Sequence, residues 1–223
     1  KNEQAYLKLA DIYKGANPQQ AIEKLEQLKS VVPSSVLADK KLAEVYYMNN
    51  RFDKASEAYA RFIHSSETTE DDLVKFALFL NHDFEKSLEV ANLGLKRNAR
   101  HAAFNRLAMY NYTDMKRYDD AQKAADAFFN AADKADYSYL DYMYYGHLLN
   151  ALKKYDEAVM QYQKAIELDT SKTELWREIS NAYEQKNDYT DAIAAYQKYY
   201  EALPADEQTA DLQFQIGKLY YGK

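Results

Sequence analysis

The sequence predicts an all-α protein made of antiparallel helix pairs that stack along the chain as an α-solenoid. The first observation is an internal repeat: residues 155–166, YDEAVMQYQKAI, align with residues 189–200, YTDAIAAYQKYY, at an offset of 34 residues. The second is that large apolar residues recur at spacings of about three and four, as on one face of a helix. The third is that the 223 residues include only five Gly and three Pro, whereas a β-sandwich needs frequent turn residues.

The helix pair that shows the pattern best begins at Thr173. Its apolar residues, in order, are Trp176, Ile179, Tyr183, Tyr189, Ala192, Tyr196 and Tyr199. The polar run 186–188 interrupts the pattern, which predicts a first helix, a turn and a second helix. Asp188 is the predicted N-cap of the second helix, because its carboxylate can accept the free amide hydrogens there. Ser171 and Glu174 have the spacing of a capping box for the first helix.

This unit resembles a tetratricopeptide repeat in the identity and spacing of its packing residues. With Thr173 as position 1, the resemblance rests on Trp176 at position 4, Ile179 and Ser180 at 7 and 8, Tyr183 at 11, Ala192 at 20, Tyr196 at 24 and Pro204 at 32. About six such repeats are predicted, at residues 3–35, 36–69, 70–100, 101–138, 139–172 and 173–206, with a final half-repeat or capping helix at 207–223. The resemblance implies one right-handed superhelical domain over residues 1–223.

Stacking explains why such a pattern repeats. A single helix pair cannot bury its apolar face alone, whereas neighbouring pairs bury a continuous core. Small residues at positions 8 and 20 let helices approach closely, and aromatic residues at positions 4, 11, 17 and 24 fill the space between pairs. Most of the 22 Tyr therefore belong to the predicted core.

The resemblance also implies which side chains face a partner, since in this family the first helices line a concave groove. The candidate peptide- or protein-binding residues are Lys40, Glu44, Tyr47, Asn105, Met109, Tyr112, Met143, His147, Asn150, Arg177, Asn181 and Lys218. The groove centre, from Asn105 to Asn150, is amphipathic: Met adapts to varied apolar partners, while Tyr and Asn give rigid contacts and hydrogen bonds. The alternative interpretation is that these side chains only pack against neighbouring helices.

Arg177 and Asn181 occupy two positions at which some tetratricopeptide repeats clamp a C-terminal carboxylate. Gln215 stands where such a clamp has Asn, Lys218 is nearby, and the further repeat that completes a clamp is not in the sequence. Glu178 and other acidic residues lie on the same predicted helix as Arg177 and give that helix a negative charge. These departures argue against a carboxylate clamp.

Charge and composition exclude several classes of function. The net charge is −6, and residues 101–223 carry 14 basic and 20 acidic side chains, so the chain lacks the positive footprint of a nucleic-acid binder. The four His lack metal-binding spacing, no Gly-rich phosphate loop occurs, and Cys is absent. We therefore expect no enzyme activity, cofactor or metal. No apolar run reaches about 18 residues, so no membrane span is expected.

The leading functional prediction is a non-enzymatic scaffold that binds a protein or peptide in the groove. The alternative is a structural spacer or assembly segment of a larger, exported bacterial protein. RNA binding by a helical repeat is disfavoured by the net acidity. The absence of Cys and the start at Lys1 weakly favour the bacterial periplasm or cell envelope and leave the cytoplasm open. The sequence defines neither the partner nor the oligomeric state.

Overall fold

In the computed structural model, which describes residues 2–80, 82–131 and 136–222, the chain forms two compact units, Lys1–Phe79 and Leu80–Lys223. The first unit comprises α1 (Glu3–Ala16), α2 (Pro18–Val31), α3 (Val36–Met48), α4 (Phe52–Phe62) and α5 (Glu70–Phe79). The second comprises α6 (Phe84–Arg97), α7 (Ala102–Asp114), α8 (Tyr118–Asp126) with a π-helical turn (Ala127–Ala131), α9 (Tyr139–Ala151), α10 (Tyr155–Leu168), α11 (Leu175–Gln185), α12 (Tyr189–Ala202) and α13 (Ala210–Gly222). None of the described helices is long and apolar enough to span a membrane.

The turns inside four helix pairs share one backbone geometry. The chain enters the left-handed region, with φ between 57° and 63°, at Asn50, Lys116, Lys153 and Asn187. In each turn the next residue donates its N–H to a carbonyl five residues earlier, as Asp188 does to Tyr183 at 2.8 Å. This is the 6→1 hydrogen bond of a Schellman motif, which satisfies carbonyl groups at the helix end. The recurrence shows that these pairs are copies of one helical hairpin.

The caps predicted for the pair α11–α12 have different outcomes. Asp188 is the N-cap of α12 and its side chain accepts an N–H from the first turn, so this prediction is confirmed. The capping box at Ser171 and Glu174 is wrong, because Glu174 makes no cap hydrogen bond. The hydroxyl and the N–H of Ser171 instead donate to Oδ1 of Asp169, at 2.6 and 3.1 Å. Helix α11 begins at Leu175 with Glu174 as its N-cap, so Ser171 lies before the cap position.

Small side chains lie at the contacts between helices, as the packing pattern predicts. The Ala residues at positions 8 and 20 of the repeats are at most 2 % exposed: Ala10, Ala21, Ala43, Ala55, Ala77, Ala108, Ala121, Ala158 and Ala192. The largest fully buried side chains include Phe62 in the first unit and Phe104, Phe128 and Tyr162 in the second. Each unit therefore has a core of small residues that allow close approach and aromatic residues that fill the remaining space.

Carboxylates near the starts of first helices are buried and neutralised by cations from elsewhere in the same unit. The three are Asp39, Asp72 and Asp141. Asp141 accepts bonds from Nε and Nη2 of Arg106 at 2.7 and 3.1 Å and from the Tyr110 hydroxyl at 2.7 Å. It also accepts the N–H of Ser138 at 2.6 Å, which caps α9. Arg106 lies on α7 and Asp141 on α9, so these hydrogen bonds link the first helices of two consecutive repeats.

Candidate functional site

Lys40, a candidate groove residue of the first unit, is held in an internal ion pair. Its Nζ lies 2.7 Å from Oδ1 of the buried Asp72. Asp72 also accepts the N–H and the hydroxyl of Thr69, at 3.0 and 2.9 Å. Burial alone would raise the pKa of Asp72, but the bonds from Lys40 and Thr69 outweigh it and hold the pKa below its ordinary value. The ion pair thus joins α3 to α5, and Asp72 neutralises the charge of Lys40.

The other two candidates of the first unit, Glu44 and Tyr47, lie one turn apart on α3. Tyr47 is 50 % exposed. Its ring meets the edge of Phe79 with 5.3 Å between centroids, and Phe52 lies 6.0 Å away. Glu44 is partly buried. Tyr47 therefore presents an accessible aromatic ring supported by two others.

The structure places Asn105 and Met109 in the core of the second unit, at 4 % and 0 % exposure. Nδ2 of Asn105 donates to the carbonyls of Ala99 and His101 at 2.9 and 3.1 Å, which fastens the turn before α7. Met109 belongs to a buried cluster that includes Leu148. Neither side chain is accessible to a partner, because neighbouring helices cover the side of α7 from which they project.

Tyr112, Met143 and Asn150 are partly buried in the second unit. The guanidinium carbon of Arg117 lies 4.8 Å from the centroid of the Tyr112 ring. Met143 packs against the cluster that contains Tyr162. Oδ1 of Asn150 is buried and has no hydrogen-bond partner within the described residues. The packing interpretation therefore holds for part of each side chain, while the remaining surface is open to a partner.

His147 lies among two carboxylates and two tyrosines. Its ring centroid is 6.1 Å from that of Tyr144 and 5.6 Å from that of Tyr162. The Tyr144 hydroxyl donates to Oδ2 of Asp114 at 3.1 Å. Burial lowers the pKa of His147, and the charges of Glu178 and Asp114 offset only part of that effect. The imidazole is therefore mainly neutral at neutral pH.

This environment predicts a pH dependence of stability. Because the pKa of His147 is below its ordinary value of 6.5 in the folded protein, the unfolded chain binds the proton first as the pH falls. We expect the free energy of unfolding to decrease from about pH 7.5 to 5.5, and the decrease to be smaller in His147→Gln. Urea denaturation of both proteins across this range measures the two slopes. Equal slopes for the two proteins would contradict a lowered pKa of His147 in the folded state.

Arg177, Asn181 and Lys218 meet in one open cavity of about 460 Å³ in the second unit. The first two lie on α11 and the third on α13, while α12 contributes to the cavity wall. Glu184 and Asp211 also line the cavity, so it contains charges of both signs. The structure thus brings together three candidate residues that are up to 41 positions apart in the sequence.

Arg177 and Lys218 contact aromatic rings and make no short ion pair within the described residues. The guanidinium carbon of Arg177 lies 5.6 Å from the Tyr199 ring centroid, and Nζ of Lys218 lies 5.1 Å from that of Phe214. Nη2 of Arg177 is 3.7 Å from Oε1 of Glu178. Such cation–π contacts leave N–H groups free to bind a ligand.

The residues predicted to face a partner did not include Asp114, Tyr144 and Asp211, which lie beside them in the structure. Tyr144 precedes His147 by three residues, a spacing that places both on one helix face, so the sequence contained that signal. The closeness of Asp114 and Glu178 to His147 depends on the packing of three helices and had no such local signal.

Comparison with known proteins gives consistent results. Two family models described as tetratricopeptide repeat match residues 4–35 and 145–207, and no curated protein matches the sequence. The C-terminal part of a TPR repeat-containing protein from Cytophaga hutchinsonii has a TM-score of 0.72 at 15 % identity, covering 96 % of this chain and 87 % of that chain. MamA (41-end) from Desulfovibrio magneticus RS-1 has a TM-score of 0.66 at 15 % identity, covering 75 % and 94 %. Cut9–Hcn1 of the APC/C has a TM-score of 0.61 at 14 % identity, covering 96 % of this chain and 42 % of that chain.

The repeated hairpins and these matches define a helical-repeat protein of the class that generally serves as a protein-interaction scaffold. Tetratricopeptide repeats are thus identified at residues 4–35 and 145–207, and the predicted all-α solenoid fold is confirmed. At such low identity the solved structures show the fold alone. The exact repeat boundaries and one continuous domain over residues 1–223 stay predictions.

Proposed function

We propose that this chain is a non-enzymatic scaffold that binds an extended segment of a protein partner along the first helices of its second unit. We call this surface the first-helix face; it comprises Tyr112, Asp114, His147, Asn150, Arg177, Asn181 and Lys218. The observation that carries the proposal is the cavity of about 460 Å³ to which α11 and α13 both contribute candidate residues. A cavity of this size can hold a side chain and adjoining backbone of a peptide.

The cavity has polar groups suited to a peptide. Arg177 and Lys218 supply N–H donors, Asn181 supplies both a donor and an acceptor, and Glu184 supplies acceptors. Peptide backbone needs donors and acceptors in alternation, so a wall that offers both is favourable for an extended segment. The cavity is therefore the part of the first-helix face best suited to bind the partner segment.

Site-specific photo-crosslinking tests this assignment. A photoreactive amino acid replaces Glu184, which is exposed and lines the cavity. The control carries it at Met160, which is 55 % exposed on α10. We expect a protein of defined mass to crosslink at position 184 and not at 160. Adding Arg177→Ala and Lys218→Ala should reduce the yield several-fold, since both cations contact the bound segment.

Two outcomes oppose the proposal. Crosslinking of the same proteins at both positions would indicate non-specific contact. The absence of any crosslinked protein at position 184, in cells that express the folded chain, would favour the alternative of a structural spacer. Circular dichroism of each variant establishes that the helices are intact.

A further inference from the structure

Helix α13 has apolar residues on two of its sides, and only one of these sides is packed within the described residues. Leu219 is buried in a cluster with residues of α12, and Leu212 and Ile216 pack against the same cluster. On the other side, Tyr220 is 55 % exposed, and a Cβ added at Gly217 would meet no atom within 4 Å. Apolar residues all around a helix are typical of one that is buried on both sides. The side that contains Gly217 and Tyr220 is therefore a candidate contact surface.

The repeat register indicates what Gly217 and Tyr220 would contact. With Ile216, they have the spacing of positions 7, 8 and 11 of a repeat, as found in α11. The residues at position 8 of the preceding repeats are all buried: Ala10, Ala43, Ala77, Ala108, Gly146 and Ser180. Gly217 is exposed. The second helix of each pair covers position 8, and no described helix covers Gly217.

Two helix pairs show which part of a second helix lies on position 8. The backbone of Gly146 on α9 lies against the ring of Tyr162 on α10, which a Cβ at position 146 would overlap. Oγ of Ser180 on α11 donates to the carbonyl of Ala192 on α12 at 2.7 Å. Both second helices carry the sequence Ala-x-x-x-Tyr at this contact, at residues 158–162 and 192–196. Position 8 is thus built to receive a helix with this sequence.

A second copy of the chain does not offer a free helix of this kind. Three second helices carry Ala-x-x-x-Tyr at this register: α4, α10 and α12. In each of them the Ala is 0 % exposed and the Tyr at most 8 % exposed: Ala55, Tyr59, Ala158, Tyr162, Ala192 and Tyr196. Releasing one of these helices would break the core of its own pair, which is costly. A helix that covers Gly217 is therefore expected from a different protein.

We propose that Gly217 and Tyr220 dock an amphipathic helix of a partner protein that carries Ala-x-x-x-Tyr on its apolar side. The partner helix lies antiparallel to α13, as α10 lies on α9, with its Tyr ring against the backbone of Gly217 and apolar side chains against Tyr220. Recognition of one apolar helix face through residues three and four apart is a recurrent mode of binding. The cavity of the proposed function is lined by other residues of α13: Asp211, Leu212, Gln215, Lys218 and Leu219. The inference therefore goes beyond that function and does not depend on it.

A fluorescently labelled peptide of residues 155–168 tests the inference, because it contains Ala-x-x-x-Tyr. A crosslink between positions 163 and 167, both exposed on α10, keeps the peptide helical, since isolated helices of this length are marginal. We expect saturable binding to the full chain by fluorescence anisotropy. Gly217→Ala should weaken binding roughly tenfold, because its Cβ would overlap the Tyr ring of the peptide. Gly15→Ala, on α1, is the matched control and should bind like the wild type, since a Cβ there also meets no atom within 4 Å.

Changes in the peptide test the partner side of the contact. Tyr162→Ala in the peptide should also weaken binding roughly tenfold, because it removes the ring that covers Gly217. Met160→Ala is the peptide control: Met160 is 55 % exposed on α10, away from the contact with α9, so binding should change less than twofold. Tyr220→Ala in the chain should weaken binding of the unaltered peptide.

Several results would overturn the inference. They are the absence of saturable binding, equal binding by Gly217→Ala and the wild type, and an equal loss in Gly15→Ala. Self-association of the chain that Gly217→Ala abolishes, measured by sedimentation velocity, would assign the surface to a second copy instead. Neither Gly variant is expected to impair folding, because neither added Cβ meets an atom within 4 Å.

Discussion

Replacing Asp141 by Ala is expected to lower the free energy of unfolding of the second unit by about 3 kcal/mol or more. The carboxylate is 0 % exposed and accepts bonds from Arg106, Tyr110 and Ser138. Its removal leaves a partly buried guanidinium that keeps the carbonyl of Asp136 at 2.7 Å but loses its counter-ion, leaves the partly buried Tyr110 hydroxyl without this acceptor, and uncaps α9. Losing one partner of a buried pair is costly because the other remains desolvated and uncompensated.

The measurement is equilibrium urea denaturation followed by far-ultraviolet circular dichroism. A matched control is Asp120→Ala, since Asp120 lies near the start of α8 and pairs with Arg117 at 2.8 Å in an exposed position. Solvent screens such a pair, so the control should change stability little. The double variant Asp141→Ala/Arg106→Leu should recover part of the loss. A loss below about 1 kcal/mol for Asp141→Ala would show that the network is not stabilising.

The fold could be predicted because its signals are local and repeated. The polar run before Tyr189 predicts the turn, and the structure has a Schellman hairpin with Asp188 as N-cap there. Ala at positions 8 and 20 predicts close helix contacts, and these side chains are buried. Each of these features depends on residues within about one helical turn of one another or on a fixed repeat register.

The candidate site was less predictable because positions carried over from a repeat pattern assume equivalent surroundings in every repeat. Met109 and Asn105 occupy groove positions, yet one packs in the core and the other binds the carbonyls of Ala99 and His101. Lys40 pairs with Asp72, 32 residues later. Such partners are set by the tertiary packing of particular helices, which no local spacing encodes.

Two departures from the repeat pattern have a structural cause that the sequence does not reveal. Ser87 and Gly94 lie on α6, at positions where Ala is usual, and both are buried. The side-chain amide of Asn111 donates to the hydroxyl of Ser87 at 2.9 Å. The backbone of Gly94 lies against the ring of Phe104, which is 0 % exposed. Both residues thus serve contacts between α6 and α7.

Gly94→Ala is accordingly expected to destabilise the second unit, although Ala favours helices. A Cβ at position 94 would overlap the ring of Phe104. Because that ring is fully buried among close-packed neighbours, it can move only by displacing them. Overpacking typically costs about 1–3 kcal/mol, and an overlap with three atoms of a buried ring belongs in the upper part of that range, above the gain of about 1 kcal/mol in helix propensity.

Gly217→Ala is the matched control, because Gly217 also lies within a helix, α13, but a Cβ there meets no atom within 4 Å. No clash therefore offsets the gain in helix propensity, and Gly217→Ala should be as stable as the wild type or slightly more stable. The two Gly→Ala changes are expected to shift the urea midpoint in opposite directions. Phe104→Leu should relieve the overlap with a Cβ at position 94. Phe104→Leu should therefore cost less stability in the Gly94→Ala variant than in the wild type. Equal shifts for Gly94→Ala and Gly217→Ala would mean that helix propensity, and not contact with Phe104, determines the effect at position 94.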